Sequence, residues 1–239
     1  MPYKIYHFKT LTSTNDKAKE LLKKGRRNFA VVAETQTKGR GRFGRKWHSS
    51  KEGLWVSIAL KPKFSHNLQF LTFIASIAVV KAIRKTAKIN AMLKWPNDIY
   101  CDGKKLCGIL TEGIFGKEDF AAIGIGLNVN QKRFPKEIGN IATSLKIITK
   151  KNFNRIFFLK NILDEFEKLH EVYENENFGR IIKEWKKYSD NIGKMAKVAA
   201  MQKTHYGKIL KVNNDCSLTL KLNNGKIVKI AEGDLFMND

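Results

Sequence analysis

The sequence predicts an α+β fold: a mixed, largely antiparallel sheet flanked by helices, followed by a small C-terminal β-barrel. Strand and helix patterns alternate over residues 1 to about 190, and hairpins between 99 and 129 imply antiparallel pairing. From Gly193 onward the chain has only short strand patterns separated by turn residues. We therefore expect a main domain over 1–190 and a small β domain over 191–239.

The first elements are predicted from apolar spacing and from residues that begin or end helices. Polar capping residues at 11–15 precede a helix predicted over 16–24, which Gly25 ends. Pro62 follows a short β-branched run and limits it to a strand. The predicted elements of this part are strands at 3–8, 29–34 and 54–60 and a buried helix at 68–85.

The remaining elements follow from turn signals and helical periodicity. A strand at 91–95 ends at Pro96, and an Asp102-Gly103 turn opens a meander of hairpins. Apolar residues at helical spacing, such as Ile156 and Leu163, predict helices that cover one face of the sheet. The predicted elements here are strands at 99–101, 105–112, 120–129, 195–200, 205–212, 217–222 and 226–231 and helices at 154–175 and 178–188.

Composition excludes several classes of protein. With 239 residues and 43% hydrophobic residues, the chain can bury a sizeable core. No apolar run approaching about 18 residues and no signal-peptide pattern is evident, so we expect no membrane segment and a cytoplasmic location. The three cysteines form no Cys-x-x-Cys pair, which indicates free thiols, and the five histidines stand apart. No metal-ligand set is predicted.

The charge is strongly positive, with a formal net charge of +23 and an isoelectric point near 9.9. Clustered lysine and arginine would favour nucleic acid as a partner, but here the lysines are scattered over every segment. A solvated, lysine-coated surface explains most of this charge. A basic nucleic-acid-binding protein and electrostatic steering toward an acidic partner protein both remain open.

The most distinctive segment is 39–47, which reads Gly-Arg-Gly-Arg-Phe-Gly-Arg-Lys-Trp. Its glycines allow the backbone to approach a ligand closely, and Arg40, Arg42 and Arg45 carry permanent positive charge, so we expect it to bind an anion. The glycines match the dinucleotide pattern G-x-G-x-x-G, but a strand rather than a helix follows. The loop must therefore bind its ligand between two strands. A solvated basic hairpin loop is the alternative.

Two further features accompany this glycine loop. Lys94 interrupts an apolar strand and Lys105 begins another, which is costly for an inward lysine without a counter-charge, although either side chain can extend to solvent from a strand end. Gly124 and Gly126 lie on one face of a strand, where missing side chains leave space for a ligand or allow tight packing. Several cations converging on a phosphate or carboxylate would explain the lysines and arginines together.

Four motifs, in this order and spacing, resemble the biotin protein ligases, also called biotin–acetyl-CoA-carboxylase ligases. They are 39–47, Lys-Trp-Pro-Asn-Asp at 94–98, Lys-Leu-Cys-Gly-Ile-Leu at 105–110 and Gly-Leu-Asn-Val at 126–129. The resemblance spans nearly the whole chain. It implies a catalytic sheet akin to class II aminoacyl-tRNA synthetases and lipoate ligases, with a C-terminal barrel like Src homology 3 domains.

The resemblance also implies a two-step reaction. Biotin and ATP, with magnesium, give biotinyl-5'-adenylate, and a lysine of a biotin carboxyl carrier domain then takes the biotinyl group. Because the carboxyl group of biotin is ionised near pH 7, no general base is needed, and the catalytic work falls on the cations Arg40, Arg42 and Lys105. We also expect the glycine loop to order over the intermediate.

Motif matches imply the binding residues. Ser13, Thr14, Asn15, Gln36, Arg40, Gly41, Arg42 and Lys105 match the biotin set, and Trp47 and Asn128 match positions near the nucleotide. The implied cofactor-binding set is completed by Gly39, Lys94, Asn97, Gly108, Gly124 and Gly126. Phe43 departs from the family pattern, in which many relatives carry another arginine or a different residue, so the resemblance leaves the charge of the loop open.

Three expectations concern partners and alternatives. The chain begins almost at once with the catalytic strand, so we expect a short form without the N-terminal DNA-binding domain of repressor-type members. A homodimer is an open alternative, for which an exposed sheet edge would provide the contact. A lipoate protein ligase is the nearest enzymatic alternative, although the glycine loop ending in Trp47 favours biotin.

Overall fold

A seven-stranded sheet forms the centre of the protein in the computed structural model, which describes residues 3–200 and 203–237. The strands, in chain order, are β1 (Lys4–Leu11), β2 (Phe29–Gln36), β3 (Leu54–Leu60), β4 (Met92–Lys94), β5 (Asp98–Cys101), β6 (Lys104–Ile114) and β7 (Phe120–Leu127). Their order across the sheet is β1-β2-β3-β7-β6-β5-β4. Only β1 and β2 pair in parallel, and the other pairs are antiparallel. The predicted mixed, largely antiparallel sheet is confirmed.

Helices cover both faces of this sheet. They are α1 (Thr14–Lys23), α2 (Leu68–Ala87), α3 (Lys136–Gly139), α4 (Leu145–Thr149), α5 (Arg155–Glu174) and α6 (Phe178–Lys187). On one face α2 packs against the sheet and is covered by α5 and α6, where the rings of Phe73 and Trp185 stack at 4.8 Å. On the other face, Ala18 and Leu22 of α1 close a smaller core over Phe29 and Val31.

The α2 segment corrects one expectation. The helical stretch Ser65–Ala87 contains an 18-residue window of mean hydropathy 1.4, long and apolar enough to cross a membrane by length and composition. The expectation of no such run was therefore wrong. In the fold, 67% of that window is buried, because α5, α6 and the sheet surround the helix.

The C-terminal part forms a second, five-stranded antiparallel sheet. Its strands are β8 (Met195–Ala199), β9 (Thr204–Val212), β10 (Leu218–Leu222), β11 (Ile227–Ile230) and β12 (Asp234–Met237), in the order β11-β10-β9-β8-β12. Four of these strands were predicted and β12 was missed. Within the described residues β11 and β12 remain edges, so the predicted barrel is an open sheet.

The second sheet packs on the first through a shared core. Trp95 is buried and its Nε1 donates a hydrogen bond to the carbonyl oxygen of Cys216 at 2.8 Å. Leu93 N donates to the carbonyl oxygen of Tyr188 at 2.7 Å, which ties β4 to the end of α6. The division into domains at 190 and 191 remains a prediction, because apolar side chains from both parts belong to one cluster.

The stacked pair at the centre of the helical layer gives a test of the core. Phe73→Ala removes a buried ring against Trp185, and we expect it to lower the free energy of unfolding by about 3–5 kcal/mol. Ile156→Ala, at a side chain that is 74% exposed, should change it little and serves as the control. Urea unfolding followed by circular dichroism measures both, and equal midpoints for the two variants would contradict the described packing.

Candidate functional site

A cavity of about 280 Å³ lies where the predicted motifs meet. It is bounded by the start of α1, the end of β2, the glycine loop 39–47, strands β5 to β7 and the segment 134–142. The predicted residues that line it are Ser13, Thr14, Asn15, Gln36, Arg40, Gly41, Arg42, Trp47, Asn97, Lys105, Gly108, Gly124, Gly126 and Asn128. Gly39 and Lys94 are not among the lining residues, and their binding role stays a prediction.

A cluster of polar side chains, joined by hydrogen bonds, forms one side of the cavity. Thr14 N donates to Gln36 Oε1 at 2.7 Å, and Gln36 Nε2 donates to Ser49 Oγ at 2.8 Å. The buried Ser57 Oγ donates to Asn15 Oδ1 at 2.6 Å. These bonds connect the start of α1 to β2 and β3, so the hydroxyl and amide groups hold fixed positions beside the cavity.

The glycine loop is a tight hairpin. Trp47 N donates to the carbonyl oxygen of Gly39 at 2.9 Å, and Gly41 N donates to that of Arg45 at 2.7 Å. At its tip Phe43 has a φ of 55° and its ring is exposed. A Cβ atom at Gly39 would lie 2.5 Å from Ser49 Oγ, so this glycine is required by packing of the chain on itself.

Three sheet glycines make room for side chains of the protein itself. A Cβ at Gly126 would lie 2.5 Å from Trp47 Nε1, and one at Gly108 would lie 3.2 Å from the same indole. A Cβ at Gly124 would lie 2.6 Å from Asn15 Oδ1. The tight-packing alternative that was open for Gly124 and Gly126 therefore holds. Trp47 Nε1 is buried and has no hydrogen-bond partner within residues 3–200 and 203–237.

Arg40 is held by carboxylates of two different elements. Its guanidinium makes a bidentate pair with Asp16 of α1, at 2.7 and 2.6 Å, and contacts both oxygens of Glu112 of β6 at 3.2 Å. Lys19 Nζ adds a contact to Glu112 at 3.1 Å. The hydrogen bonds from Arg40 lower the pKa of Asp16. Burial acts to raise the pKa of Glu112, but hydrogen bonds from Asn15, Lys19 and Arg40 outweigh it and lower that pKa.

Arg42 and Arg45 connect the glycine loop to the C-terminal sheet. Arg42 Nη1 donates to the carbonyl oxygen of Gly233 at 2.9 Å, and Nη2 pairs with Glu232 at 3.1 Å. Arg45 Nη2 contacts both carboxylate oxygens of Asp234 at 2.7 Å. The turn between β11 and β12 thus fixes the loop from the opposite end of the chain.

The two predicted lysines lie in different surroundings. Lys105 Nζ pairs with Asp98 Oδ1 at 2.6 Å and lies 5.2 Å from the centre of the Trp47 ring. Lys94 Nζ lies 4.3 Å from the centre of the Tyr100 ring, outside the lining. The expected counter-charge for Lys105 is thus Asp98, the last residue of the motif at 94–98.

The two predicted asparagines contact the backbone around the cavity. Asn97 Nδ2 donates to the carbonyl oxygen of Ile109 at 2.7 Å. Asn128 Nδ2 donates to that of Thr143 at 2.9 Å. Both side chains therefore hold neighbouring segments in place while they line the cavity.

The sequence analysis did not identify the carboxylates that pair with the cations, or one apolar wall of the cavity. The missed carboxylates are Asp16, Asp98, Glu112, Glu232 and Asp234, and the apolar wall consists of Phe134, Ile138 and Ile141. Asp98 could have been found from the sequence, because it lies inside the motif at 94–98. The other four carboxylates belong to elements that are distant in sequence from the predicted cations they contact. A polar side, an apolar wall and several cations suit an elongated ligand with an apolar part and an anionic end.

The described residues hold no cluster of protein metal ligands and no cysteine with a lowered pKa. Within residues 3–200 and 203–237, no group of three histidine, cysteine, aspartate or glutamate side chains is arranged to hold a metal ion. The three cysteines are free and buried. Burial raises the pKa of Cys101 to about 11 and also raises those of Cys107 and Cys216, so none is an activated thiol.

The comparisons with known proteins agree with this site. The model of the biotin/lipoate A/B protein ligase family matches residues 6–130, more than half of the chain. The chain belongs to this family. It is 39% identical to the bifunctional ligase/repressor BirA of Bacillus subtilis over 97% of its own length and 73% of that protein, and 28% identical to BirA of Escherichia coli over 82% and 63%.

A solved structure of a ligase resembles this fold over nearly its whole length. The biotin protein ligase of Aquifex aeolicus in complex with biotin and ATP superposes with a TM-score of 0.88 at 31% identity, and the match covers 98% of both chains. The likeness therefore covers both sheets.

The Arg40–Asp16 pair of this ligase-family site predicts a pH dependence. The pKa of Asp16 is lower in the folded protein than in the unfolded chain, where it is about 3.9. The pair therefore stabilises the fold above that unfolded value, and this contribution is lost as the pH falls through the lowered folded pKa.

We expect Asp16→Asn to lower the melting temperature near neutral pH and to lose this effect in acid. Asp164→Asn, at an exposed carboxylate on α5, is the control for removal of one negative charge. Differential scanning fluorimetry from neutral pH down to about pH 3 measures the difference, which should shrink below the unfolded pKa of about 3.9. A difference that stays constant with pH would contradict the assigned pair.

Proposed function

We propose that the chain is a biotin protein ligase that forms biotinyl-5'-adenylate from biotin and ATP and transfers the biotinyl group to a protein lysine. The observation that carries this proposal is the glycine loop, which lies beside a cavity lined by Ser13, Thr14, Asn15 and Lys105. Family membership and the likeness to a biotin- and ATP-bound ligase support the same substrates.

The cations fit the first step. A carboxylate must attack a phosphate, so two anions have to be brought together while negative charge grows on the departing pyrophosphate. Arg40, Arg42 and Lys105 line the cavity and are held in place by their own carboxylate partners. Because they are fixed before the ligand arrives, little reorganisation is needed, and we assign them the positioning and charge stabilisation in this step.

The neutral parts of the substrate fit the rest of the lining. The ureido ring of biotin is polar and uncharged, which suits the amide and hydroxyl groups of Gln36, Thr14 and Ser13. The exocyclic chain of biotin is apolar, and the sheet residues Ile109 and Ile125 line the same cavity. Trp47 Nε1, buried without a partner in the described chain, is a donor that a nucleotide or biotin oxygen would satisfy.

Magnesium, the acceptor and the cellular setting complete the proposal. Magnesium would enter on the phosphates of ATP, since the ion prefers phosphates with one or two carboxylates to an all-protein cage. Asp98 and Asp234 are the carboxylates that line the cavity. The acceptor would be a biotin carboxyl carrier domain in the cytoplasm. The exposed edge strand β1 would provide the contact of a homodimer.

Isotope exchange tests this function directly. The purified chain with magnesium should exchange pyrophosphate into ATP when biotin is added and not when lipoate is added, and mass analysis should find bound biotinyl-adenylate. Arg40→Ala should slow the exchange by roughly 10²–10³-fold, the effect of one lost electrostatic donor in a desolvated site. Exchange driven by lipoate alone, or no exchange with either vitamin, would refute the proposal.

Retention of the intermediate depends on the loop. Arg42→Gly removes the contacts to Glu232 and Gly233, and we expect release of biotinyl-adenylate to quicken by about 10- to 100-fold, the equivalent of roughly 1.5–3 kcal/mol for charged hydrogen bonds. Released adenylate should label lysines of serum albumin, which a streptavidin blot detects. The control is Arg27→Gly, where the lost partner is Glu118. An unchanged release rate would show that Arg42 does not hold the loop.

A further inference from the structure

A chain of hydrogen bonds begins and ends at the glycine loop. Its first link is Arg40 Nη2, which donates to both carboxylate oxygens of Glu112 at 3.2 Å. Glu112 Oε2 also accepts from Asn15 Nδ2 at 2.6 Å, and Asn15 Oδ1 accepts from the buried Ser57 Oγ at 2.6 Å. The chain therefore passes from the loop to β6, to the start of α1 and to β3.

The remaining links return to the loop. Ser57 Oγ lies 2.7 Å from Thr14 Oγ1, which donates to Gln36 Oε1 at 3.1 Å. Gln36 Nε2 donates to Ser49 Oγ, and Ser49 Oγ donates to the carbonyl oxygen of Trp47 at 3.2 Å. Because Trp47 is the last residue of the loop, the hydrogen bonds close a circuit. Its members, which we call the polar circuit, are Thr14, Asn15, Gln36, Arg40, Trp47, Ser49, Ser57 and Glu112.

Glu112 is the member of the polar circuit that joins the loop to the main sheet. Its carboxylate on β6 contacts Arg40 of the loop, Asn15 at the start of α1, and Lys19 one turn later at 3.1 Å. Asp16 also holds Arg40, but it lies on α1, so it fixes the loop relative to that helix. The side chain of Glu112 is 25% exposed and does not line the cavity. It therefore holds groups of the site without facing a ligand.

The glycine loop is thus held at two separate places. Its tip is held by the turn between β11 and β12, through Arg42 and Arg45. Its base is held by the polar circuit, at Arg40 and Trp47. The members of the circuit that line the cavity are Thr14, Asn15, Gln36, Arg40 and Trp47. A change at the base therefore displaces groups of the polar side of the cavity, and a change at the tip leaves that side in place.

We propose that Glu112 is a positioning residue, which holds the base of the glycine loop and the start of α1 in one arrangement and so fixes the groups that receive biotin. This proposal rests on the proposed function, since it presumes that biotin occupies the polar side of the cavity. Glu112 touches no substrate and acts through the residues that it holds, Arg40 and Asn15. Capture of biotin should depend on it, because groups fixed in advance lose little freedom when the ligand binds.

The test variant is Glu112→Gln. A glutamine of nearly the same size keeps one acceptor oxygen for Asn15, but its NH2 group cannot accept from Arg40 or Lys19. The matched control is Glu118→Gln. That carboxylate also pairs with two cations from other elements, at 27 and 61, and does not line the cavity. Biotin-dependent pyrophosphate exchange gives kcat/KM for biotin and the KM for ATP, and the melting temperature is recorded for each variant.

We expect kcat/KM for biotin to fall about tenfold or more in Glu112→Gln, the effect of one lost hydrogen bond to a charged group. The KM for ATP should change by less than about threefold in this variant, because the contacts of the tip remain. Glu118→Gln should match the wild type in both constants. An unchanged kcat/KM for biotin in Glu112→Gln would overturn this proposal and leave the ligase function standing.

Two variants separate positioning from charge alone. In the background of Arg40→Ala, Glu112→Gln should lower kcat/KM for biotin by less than about threefold, because its main partner is already absent. A further tenfold loss there would show that Glu112 does not act through Arg40. Glu112→Asp keeps the charge but withdraws the carboxylate by one methylene, so it should not restore the wild-type value. Full activity of Glu112→Asp would refute a role in geometry.

Amide hydrogen–deuterium exchange tests the anchoring without any substrate. The amides of Gly41 and Trp47 are protected by hydrogen bonds within the loop hairpin. Exchange over 39–47 should quicken by about tenfold or more in Glu112→Gln and stay unchanged in Glu118→Gln, because local opening follows the loss of the anchor. Unchanged protection in Glu112→Gln would overturn the proposal. Absence of biotin-dependent pyrophosphate exchange in the wild type would instead overturn the proposed function, and this proposal with it.

Discussion

Guanidinium–carboxylate pairs hold the glycine loop, and the geometry of the cavity depends on them. Arg40 is fixed by Asp16 and Glu112, and Arg45 is fixed by Asp234. The pair of Arg40 with Asp16 joins two nitrogens to two oxygens, so it restricts both distance and orientation, which a lysine could not do. The carboxylates come from α1, β6 and the start of β12, so the loop takes this position only when the two sheets are packed together.

This constraint makes the C-terminal sheet part of the site. Arg42 donates to the backbone at Gly233 and pairs with Glu232, although the residues lie at opposite ends of the chain. Movement of the turn between β11 and β12 would release the loop without unfolding the main sheet, because the loop has its own hairpin bonds at Gly39 and Gly41. Access to the cavity is therefore linked to these few ion pairs.

Much of the fold could be predicted from local pattern, since β3 and α2 differ from their predicted bounds by no more than two residues. The elements that were missed are short or lack a distinct period: α3, α4 and β12 span four or five residues each. The motifs located most of the cavity, but they could not reveal that Gly126 lies against the Trp47 indole. Such a contact depends on tertiary packing between segments far apart in sequence.

The positive charge of the chain is compensated unevenly in the fold. The net charge of +23 suggested a uniform lysine coat. Yet many of the acidic side chains are committed to ion pairs, and in the C-terminal sheet they face Arg42, Arg45 and Lys229. Lysines on the outer face of that sheet are left to repel one another. Lys208 and Lys221 lie directly opposite each other on β9 and β10, so a glutamate at either position would replace this repulsion with an attraction.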